Sequence, residues 1–285
     1  MFPARFRYEA PRSIEEAIDL LQRYGDEAKV MAGGQSLIPL MKLRFASPGV
    51  IVDLNNIPGL DYHRVDGDGT LRIGALCRHA MLERSTLLDQ TQPTMAACAP
   101  LIADPMVRNR GTLVGAVCHG DPQGDWESVM LALGGSVVVL GPRGTRQVDV
   151  HNLIAGPFQN SLDPTEIAVE AVVPPPSGTR KGGYLKLERR VGDFATVGVA
   201  VALETAGSSV TRAGIGLTGV GSTSIDASSA ANSLVGKNLS QGTIEEAAYL
   251  AAQASEPRSD HRGSATFKRH IVGIFVERLL TGLAA

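Results

Sequence analysis

Apolar residues recur at helical spacing from Ile14 through Ala17, Ile18 and Leu21, behind the capping box Ser13-Ile14-Glu15-Glu16 and ahead of Gly25. This predicts a helix over 14–24. A short apolar strand at 29–32 then meets Gly33-Gly34, and Leu37-Ile38-Pro39-Leu40-Met41-Lys42-Leu43-Arg44 reads as an amphipathic helix ending in basic residues. Val50-Ile51-Val52-Asp53-Leu54 is a second strand. Together these segments predict a small βαβ-like unit, left through Asn55-Asn56-Ile57-Pro58-Gly59.

From Leu60 the pattern starts afresh. It predicts a strand at 71–75, helices at 80–88 and 93–99, a basic loop feeding a glycine-interrupted apolar run over 101–117, and a helix at 126–133. Strands at 136–140 and 147–150 pair across Gly141-Pro142-Arg143-Gly144, and 166–173 is one more strand. Pro174-Pro175-Pro176-Ser177-Gly178 is the clearest break and marks a domain boundary. Beyond it, 183–188, 195–204 and 210–218 form an antiparallel three-stranded meander, followed by helices at 228–234, 243–254 and 266–281. The expected fold class is α+β: an α/β domain over 1–175, with subdomains about 1–57 and 58–175, then a sheet-and-helix domain over 179–285. No internal repeat or low-complexity tract is evident.

The bulk properties narrow the function. A chain of 285 residues with 44% hydrophobic and 20% charged residues is globular in composition. Its formal net charge of -2 argues against nucleic-acid or anionic-membrane binding. No apolar run approaches the roughly 20 residues of a membrane span, and the N-terminus lacks a signal-peptide core, so a cytoplasmic location is expected. Cys77, Cys98 and Cys118 show no Cys-x-x-Cys spacing. They do not supply an iron–sulfur cluster or a structural zinc site, and no metal ligand is assigned to this chain.

Two glycine segments carry the candidate chemistry. In Lys29-Val30-Met31-Ala32-Gly33-Gly34-Gln35-Ser36, paired glycines let backbone amides approach a ligand, and the free N–H groups of the turn suit a pyrophosphate. Ser36 is a reasonable N-cap for the next helix. An ordinary strand-to-helix turn would show the same glycines. The second segment, Gly111-Thr112-Leu113-Val114-Gly115, follows the basic stretch Arg108-Asn109-Arg110. Two such turns in separate subdomains point to an extended dinucleotide gripped between them. The Rossmann fingerprint is absent, and Gly219-Val220-Gly221 reads as a simple turn. Cys118, His119, Asp121 and Asp125 fit no familiar metal spacing and read as a polar loop.

Ala32-Gly33-Gly34-Gln35-Ser36, Arg108-Asn109-Arg110-Gly111-Thr112, Asp121-Pro122 and Asp125 resemble the FAD-binding medium subunit of the molybdenum hydroxylases. These are the xanthine dehydrogenase and aerobic carbon monoxide dehydrogenase relatives. Leu217-Thr218-Gly219-Val220-Gly221-Ser222-Thr223 and Asp260-His261-Arg262-Gly263-Ser264-Ala265 extend the resemblance over essentially the whole chain. It implies a two-subdomain FAD-binding domain of the PCMH type, followed by a C-terminal domain of the carbon monoxide dehydrogenase flavoprotein type. By resemblance, residues 29–36 hold the pyrophosphate of a non-covalent FAD from one side. Ile102 and Gly111 to Gly115 hold it from the other, with the Thr112 hydroxyl as a donor. Asp125 accepts from the adenosine part, Leu162 and Ile167 line apolar surroundings, and Lys186 lies near the isoalloxazine. Read without the family, Lys186 is an exposed strand lysine.

The second segment departs from the family pattern. Val114 stands where Gly is usual and Ala116 where Ser or Asn is usual. A branched Val resists positive φ, so the backbone there is expected to differ or to contact FAD less closely. The function implied is that of an electron-transfer subunit with no catalytic residue acting on the organic substrate. It would take electrons from the 2Fe–2S clusters of a small subunit, with molybdopterin on a large subunit, in a dimer of heterotrimers. The alternative is a stand-alone FAD-dependent oxidoreductase acting directly on a small substrate.

Overall fold

Ser13 starts the first helix as its side chain dictates. In the computed structural model, which describes residues 2–284, the Ser13 hydroxyl accepts from the Glu16 N–H at 3.2 Å, and the Glu16 carboxylate accepts from the Arg12 N–H at 2.8 Å. Two amides at the helix entrance are thereby satisfied. Helix α1 (Ile14–Tyr24) buries Ala17, Leu20 and Leu21 against a three-stranded sheet. That sheet holds β1 (Arg7–Glu9), β2 (Ala28–Met31) and β3 (Val50–Asp53) in the order β1-β3-β2, all parallel. Helix α2 (Leu37–Lys42) connects β2 to β3, which completes the expected βαβ unit. All four residues of the central β3 are buried, as a strand in the middle of a parallel sheet requires. Strand β1 goes beyond the sequence pattern, because its three exposed or half-buried residues, Arg7, Tyr8 and Glu9, are too few to show an alternation.

The second subdomain is built on an antiparallel sheet. Its strands are β4 (His63–Val65), β5 (Leu71–Gly74), β6 (Ser136–Gly141) and β7 (Gly144–Asp149); after the small hairpin β8 (Ile154–Gly156) and β9 (Gln159–Asn160) comes β10 (Ile167–Val173). The order is β4-β5-β10-β6-β7, and β10 in the middle is buried at every position. Seven short helices surround it: α3 (His79–Glu83), α4 (Thr86–Thr91), α5 (Pro93–Cys98), α6 (Pro105–Arg108), α7 (Leu113–His119), α8 (Asp125–Leu133) and α9 (Val150–Leu153). The helix predicted over 80–88 is split in two, because the Ser85 hydroxyl accepts from the Leu88 N–H at 3.2 Å and starts a new helix. The predicted basic loop and apolar run over 101–117 likewise contain α6 and the start of α7, opened by Asp104 and Thr112 as N-caps.

Three long strands, β11 (Thr179–Leu187), β12 (Val197–Ala206) and β13 (Ser209–Thr218), make the expected C-terminal meander, and a two-residue β14 (Ile225–Asp226) adds to its edge. The period of two along β12 shows how this sheet is used. Val197, Val199, Val201 and Leu203 join the core under α10 (Ser228–Leu234), α11 (Gln241–Ala254) and α12 (Ala265–Ala284). Ala200 and Ala202, between them, join the core of the second subdomain. The sheet is therefore sandwiched, its second face lying on α5 and α8. Gly214 and Gly216 make that approach possible: a Cβ on either would sit 2.6 Å from the backbone carbonyl carbon of Ala132 or Ser128. Among the described residues no helix is long and apolar enough to cross a membrane.

Candidate cofactor site

Strand β2 ends at Met31 and the chain turns through Gly33 and Gly34 into α2. Gly34 has φ +73°, where a Cβ would be strained. Gly33 serves a different need. A Cβ there would lie 2.7 Å from the Gly111 Cα and 2.9 Å from the Arg110 carbonyl carbon. The two glycine segments are thus packed backbone against backbone, although they come from different subdomains.

Two side chains bracket this contact. Arg78 donates to the Arg110 carbonyl at 2.6 Å and also to the Asn55 side-chain oxygen. Asn55 in turn donates to the Ala32 carbonyl at 2.8 Å. Asp53 fixes Asn55 by accepting from its N–H at 3.0 Å, and Tyr8 donates to the Asp53 carboxylate at 2.7 Å. The second segment is supported from behind by His79, whose N–H donates to the Gly111 carbonyl at 2.9 Å. The ring Nδ1 of His79 accepts from the Trp126 indole at 3.1 Å. Burial, reinforced by the charges of Arg108 and Arg78, pushes the His79 pKa down to about 4, so its ring is neutral at physiological pH.

The two turns carry open donors. Among the described residues, no protein acceptor pairs with the N–H groups of Gly33, Gly34, Gln35 and Ser36, or with those of Thr112 and Val114. Gly33, Gly34 and Gln35 are half-buried and Thr112 and Val114 buried, where an amide out of reach of water needs another partner; Ser36 is exposed. Burial and the positive charge of Arg110 hold the Arg78 pKa below its ordinary value, against the pull of the Asp53 and Asp61 carboxylates. Open amides beside paired cations are what a diphosphate requires, and the residues present fit FAD.

The predicted site residues fall into three groups. Residues 32–36 and 111–115 come together as the two jaws, with Lys29, Val30 and Met31 in the strand behind. Ser36 leads into α2, but its hydroxyl makes no capping bond. The Thr112 hydroxyl accepts from the Gly115 N–H at 3.1 Å, acting as an N-cap while keeping its own proton to donate. Val114 is the second residue of α7, with its side chain buried, so the branched residue adopts ordinary helical backbone. No left-handed turn is asked of it.

Lys186 and Asp125 form the second group. The lysine ammonium lies 2.9 Å from the Asp125 carboxylate and donates to the Leu101 carbonyl at 2.9 Å, and its side chain is 2% exposed. It is therefore not the exposed lysine of the unaided reading. Tyr184 donates to Asp125 at 2.6 Å. Burial pushes the Asp125 pKa up, against the pull of Lys186 and Tyr184. Because the two side chains touch, Asp125 and Lys186 mark one place and do not mark opposite ends of an extended dinucleotide. Ile102 belongs here, next to Leu101, with its carbonyl accepting from Arg108 at 2.8 Å.

Leu162 and Ile167 are the third group. Leu162 packs on the second-subdomain core, and Ile167 is buried in the core of the first. The residues beyond sequence reasoning are Asn55, Arg78 and His79. The available signal was positional: Asn55 stands just past the carboxyl end of a parallel strand, where ligand sites of open α/β sheets gather.

Residues 4–176 match the family described as the FAD binding domain in molybdopterin dehydrogenase. Residues 183–283 match the CO dehydrogenase flavoprotein C-terminal domain. The chain is similar to the carbon monoxide dehydrogenase medium chain of Hydrogenophaga pseudoflava, 39% identical over 280 residues, covering 98% of this chain and 97% of that one. It is similar to the 6-hydroxypseudooxynicotine dehydrogenase complex subunit alpha of Paenarthrobacter nicotinovorans, 38% identical over 282 residues, covering 98% and 95%. Among solved structures it resembles a carbon monoxide dehydrogenase from Hydrogenophaga pseudoflava that lacks the Mo-pyranopterin moiety. The TM-score is 0.95 at 40% identity, covering 99% of this chain and 98% of that one.

Proposed function

The chain belongs to the family of FAD-binding flavoprotein subunits of molybdopterin dehydrogenases, and on that footing we propose that it is the electron-transfer subunit of a heterotrimeric molybdenum hydroxylase. In this reading it takes electrons from the 2Fe–2S clusters of a small subunit and passes them to an external acceptor. Hydroxylation takes place at a molybdopterin centre on a large subunit, and the complex is a cytoplasmic dimer of heterotrimers.

The observation that carries the proposal is the pair of jaws with open amides on both. FAD, when bound, supplies the exchange between one-electron and two-electron carriers. The chain's own residues do the holding. The amides of residues 33–36, together with those of Thr112 and Val114, donate to the diphosphate, and Arg78 and Arg110 offset its charge. The Lys186–Asp125–Tyr184 cluster forms a dry polar site at which a cation is fixed beside Ile102. Relatives of closely similar identity are named for different substrates, carbon monoxide and 6-hydroxypseudooxynicotine. That pattern suits a subunit that handles electrons and leaves substrate choice to another chain.

The test is to tag this chain in its native host. A small iron–sulfur protein and a large molybdenum protein should purify with it, and the chain freed of them should not turn over an organic substrate. Purification alone, with substrate oxidation by the isolated chain, would favour the stand-alone oxidoreductase instead.

A further inference from the structure

A cavity of about 10 Å3 lies where the second subdomain meets the C-terminal sheet, between Gln92 at the entrance of α5, Leu133 at the end of α8, and strands β11, β12 and β13. None of its lining residues belongs to either jaw or to the Lys186–Asp125 cluster. It has room for about one water-sized particle.

The lining is strongly cationic. Arg180, Lys181 and Arg212 stand there against a single carboxylate, Glu204. The side chains of Arg180 and Glu204 are 9% and 4% exposed. Glu204 Oε1 is shared between Arg180 at 3.5 Å and Arg212 at 3.3 Å, both longer than the usual range of about 2.7–3.2 Å. Its Oε2 is taken by Ser177, whose N–H and hydroxyl both donate to it. Burial holds the Arg180 pKa below its ordinary value, and the charge of Arg212 adds to this against the pull of Glu204. One loosely held carboxylate thus faces two guanidinium groups, and a buried cation short of counter-charge is costly.

Open donors meet at the same place. Gln92 is 1% exposed, and among the described residues neither its Nε2 nor its Oε1 has a hydrogen-bond partner. Nor does a protein acceptor pair with Nη1 of Arg180 among the described residues, since its bonds run from Nε to Glu204 and from Nη2 to the Pro174 carbonyl. A buried donor left unpaired carries its full desolvation cost.

We propose that this cavity binds one monatomic anion, chloride under ordinary conditions, beside Gln92 and Arg180. The space is too small for phosphate or sulfate. A water molecule would satisfy the amide but leave the excess positive charge where it stands, whereas an anion answers both. The ion ties the second subdomain, through Gln92, to the C-terminal sheet, through Arg180 and Arg212. The two arginines extend the tie, because Arg180 also holds the boundary segment at Pro174 and Arg212 donates to the Leu133 carbonyl at 2.8 Å.

The test is made on the purified chain. Crystals grown in sodium bromide should show an anomalous bromide peak in the cavity. In solution, replacing gluconate, which is too large to enter, with chloride at constant ionic strength should raise Tm by about 2–4 °C. Water in the cavity with no anomalous signal, or a Tm indifferent to chloride, would overturn the proposal. Gln92→Glu supplies the missing charge covalently. It should abolish both the bromide peak and the chloride response, and in gluconate it should melt at or above the Tm of the unmodified chain. A lower Tm in gluconate, or a chloride response that persists, would contradict the charge argument. If that variant does not fold, Gln92→Leu removes the amide donor and should weaken apparent chloride affinity by about tenfold; an unchanged affinity would take Gln92 out of the site and overturn the proposal.

Discussion

Gly33→Ala is the sharpest perturbation, because it acts on the contact between the jaws and on little else. The added Cβ would lie 2.7 Å from the Gly111 Cα and 2.9 Å from the Arg110 carbonyl carbon, both backbone atoms that no rotamer change can move aside. Carbon atoms settle at about 3.5–4.0 Å, so the turns must part by roughly 1 Å. Overpacking of this size costs about 1–3 kcal/mol of stability, which a domain of this core can bear. Flavin binding should suffer more. Donors on one jaw that would sit at the ordinary distance of about 2.9 Å from a bound phosphate oxygen would move beyond useful range. Losing two charge-assisted bonds at about 1.5–3 kcal/mol each lowers affinity by roughly a hundredfold to ten-thousandfold. Gly34→Ala is the control. Its Cβ meets the flexible end of Ile38, so its cost is backbone strain at φ +73° and not separation of the jaws. FAD titration of the flavin-stripped complex, with thermal melting alongside, measures both. Unchanged FAD affinity in a folded Gly33→Ala variant would refute the two-jaw reasoning.

Three further outcomes follow from the same geometry. Arg78→Lys keeps the charge but loses the fork that reaches both Arg110 and Asn55. FAD affinity should fall by about ten- to a hundredfold on titration, at the roughly 1.5–3 kcal/mol of one charged bond. Lys186→Met leaves the Asp125 carboxylate buried without its cation, at a cost of roughly 3–5 kcal/mol in a melting experiment, and adding Asp125→Asn should recover most of it. Glu127 is 2% exposed with neither carboxylate oxygen partnered among the described residues, and burial pushes its pKa up to about 8. The folded chain therefore holds this proton more tightly than the unfolded chain. The resulting stability is complete below the ordinary carboxyl range, near pH 4.5, and is lost as pH rises to about 8. Glu127→Gln should flatten that part of the melting-temperature profile; an unaltered profile would show that Glu127 does not titrate there.

Local chemistry was legible in the sequence, and long-range contact was not. The Ser13 capping box acts within a few residues of itself, so pattern alone reveals it. Gly33 was recognisable as special, but its partner is Gly111, far along the chain, and no spacing announces that meeting. The glycines at 111 and 115 read as a turn, whereas Thr112, three residues before Gly115, marks the start of a helix. Strand periodicity gives Lys186 a face of β11, yet not the fact that this face meets Asp125 on α8. The resemblance placed Asp125 and Lys186 at different ends of the cofactor, and their direct contact brings them to one.

The central claim is that the two jaws hold FAD, and the flavin itself answers it most directly. The complex purified from its native host should release its flavin on mild denaturation, and chromatography should identify that flavin as intact FAD at about one per chain. FMN, a flavin that stays attached to the polypeptide, or no flavin at all would contradict the account.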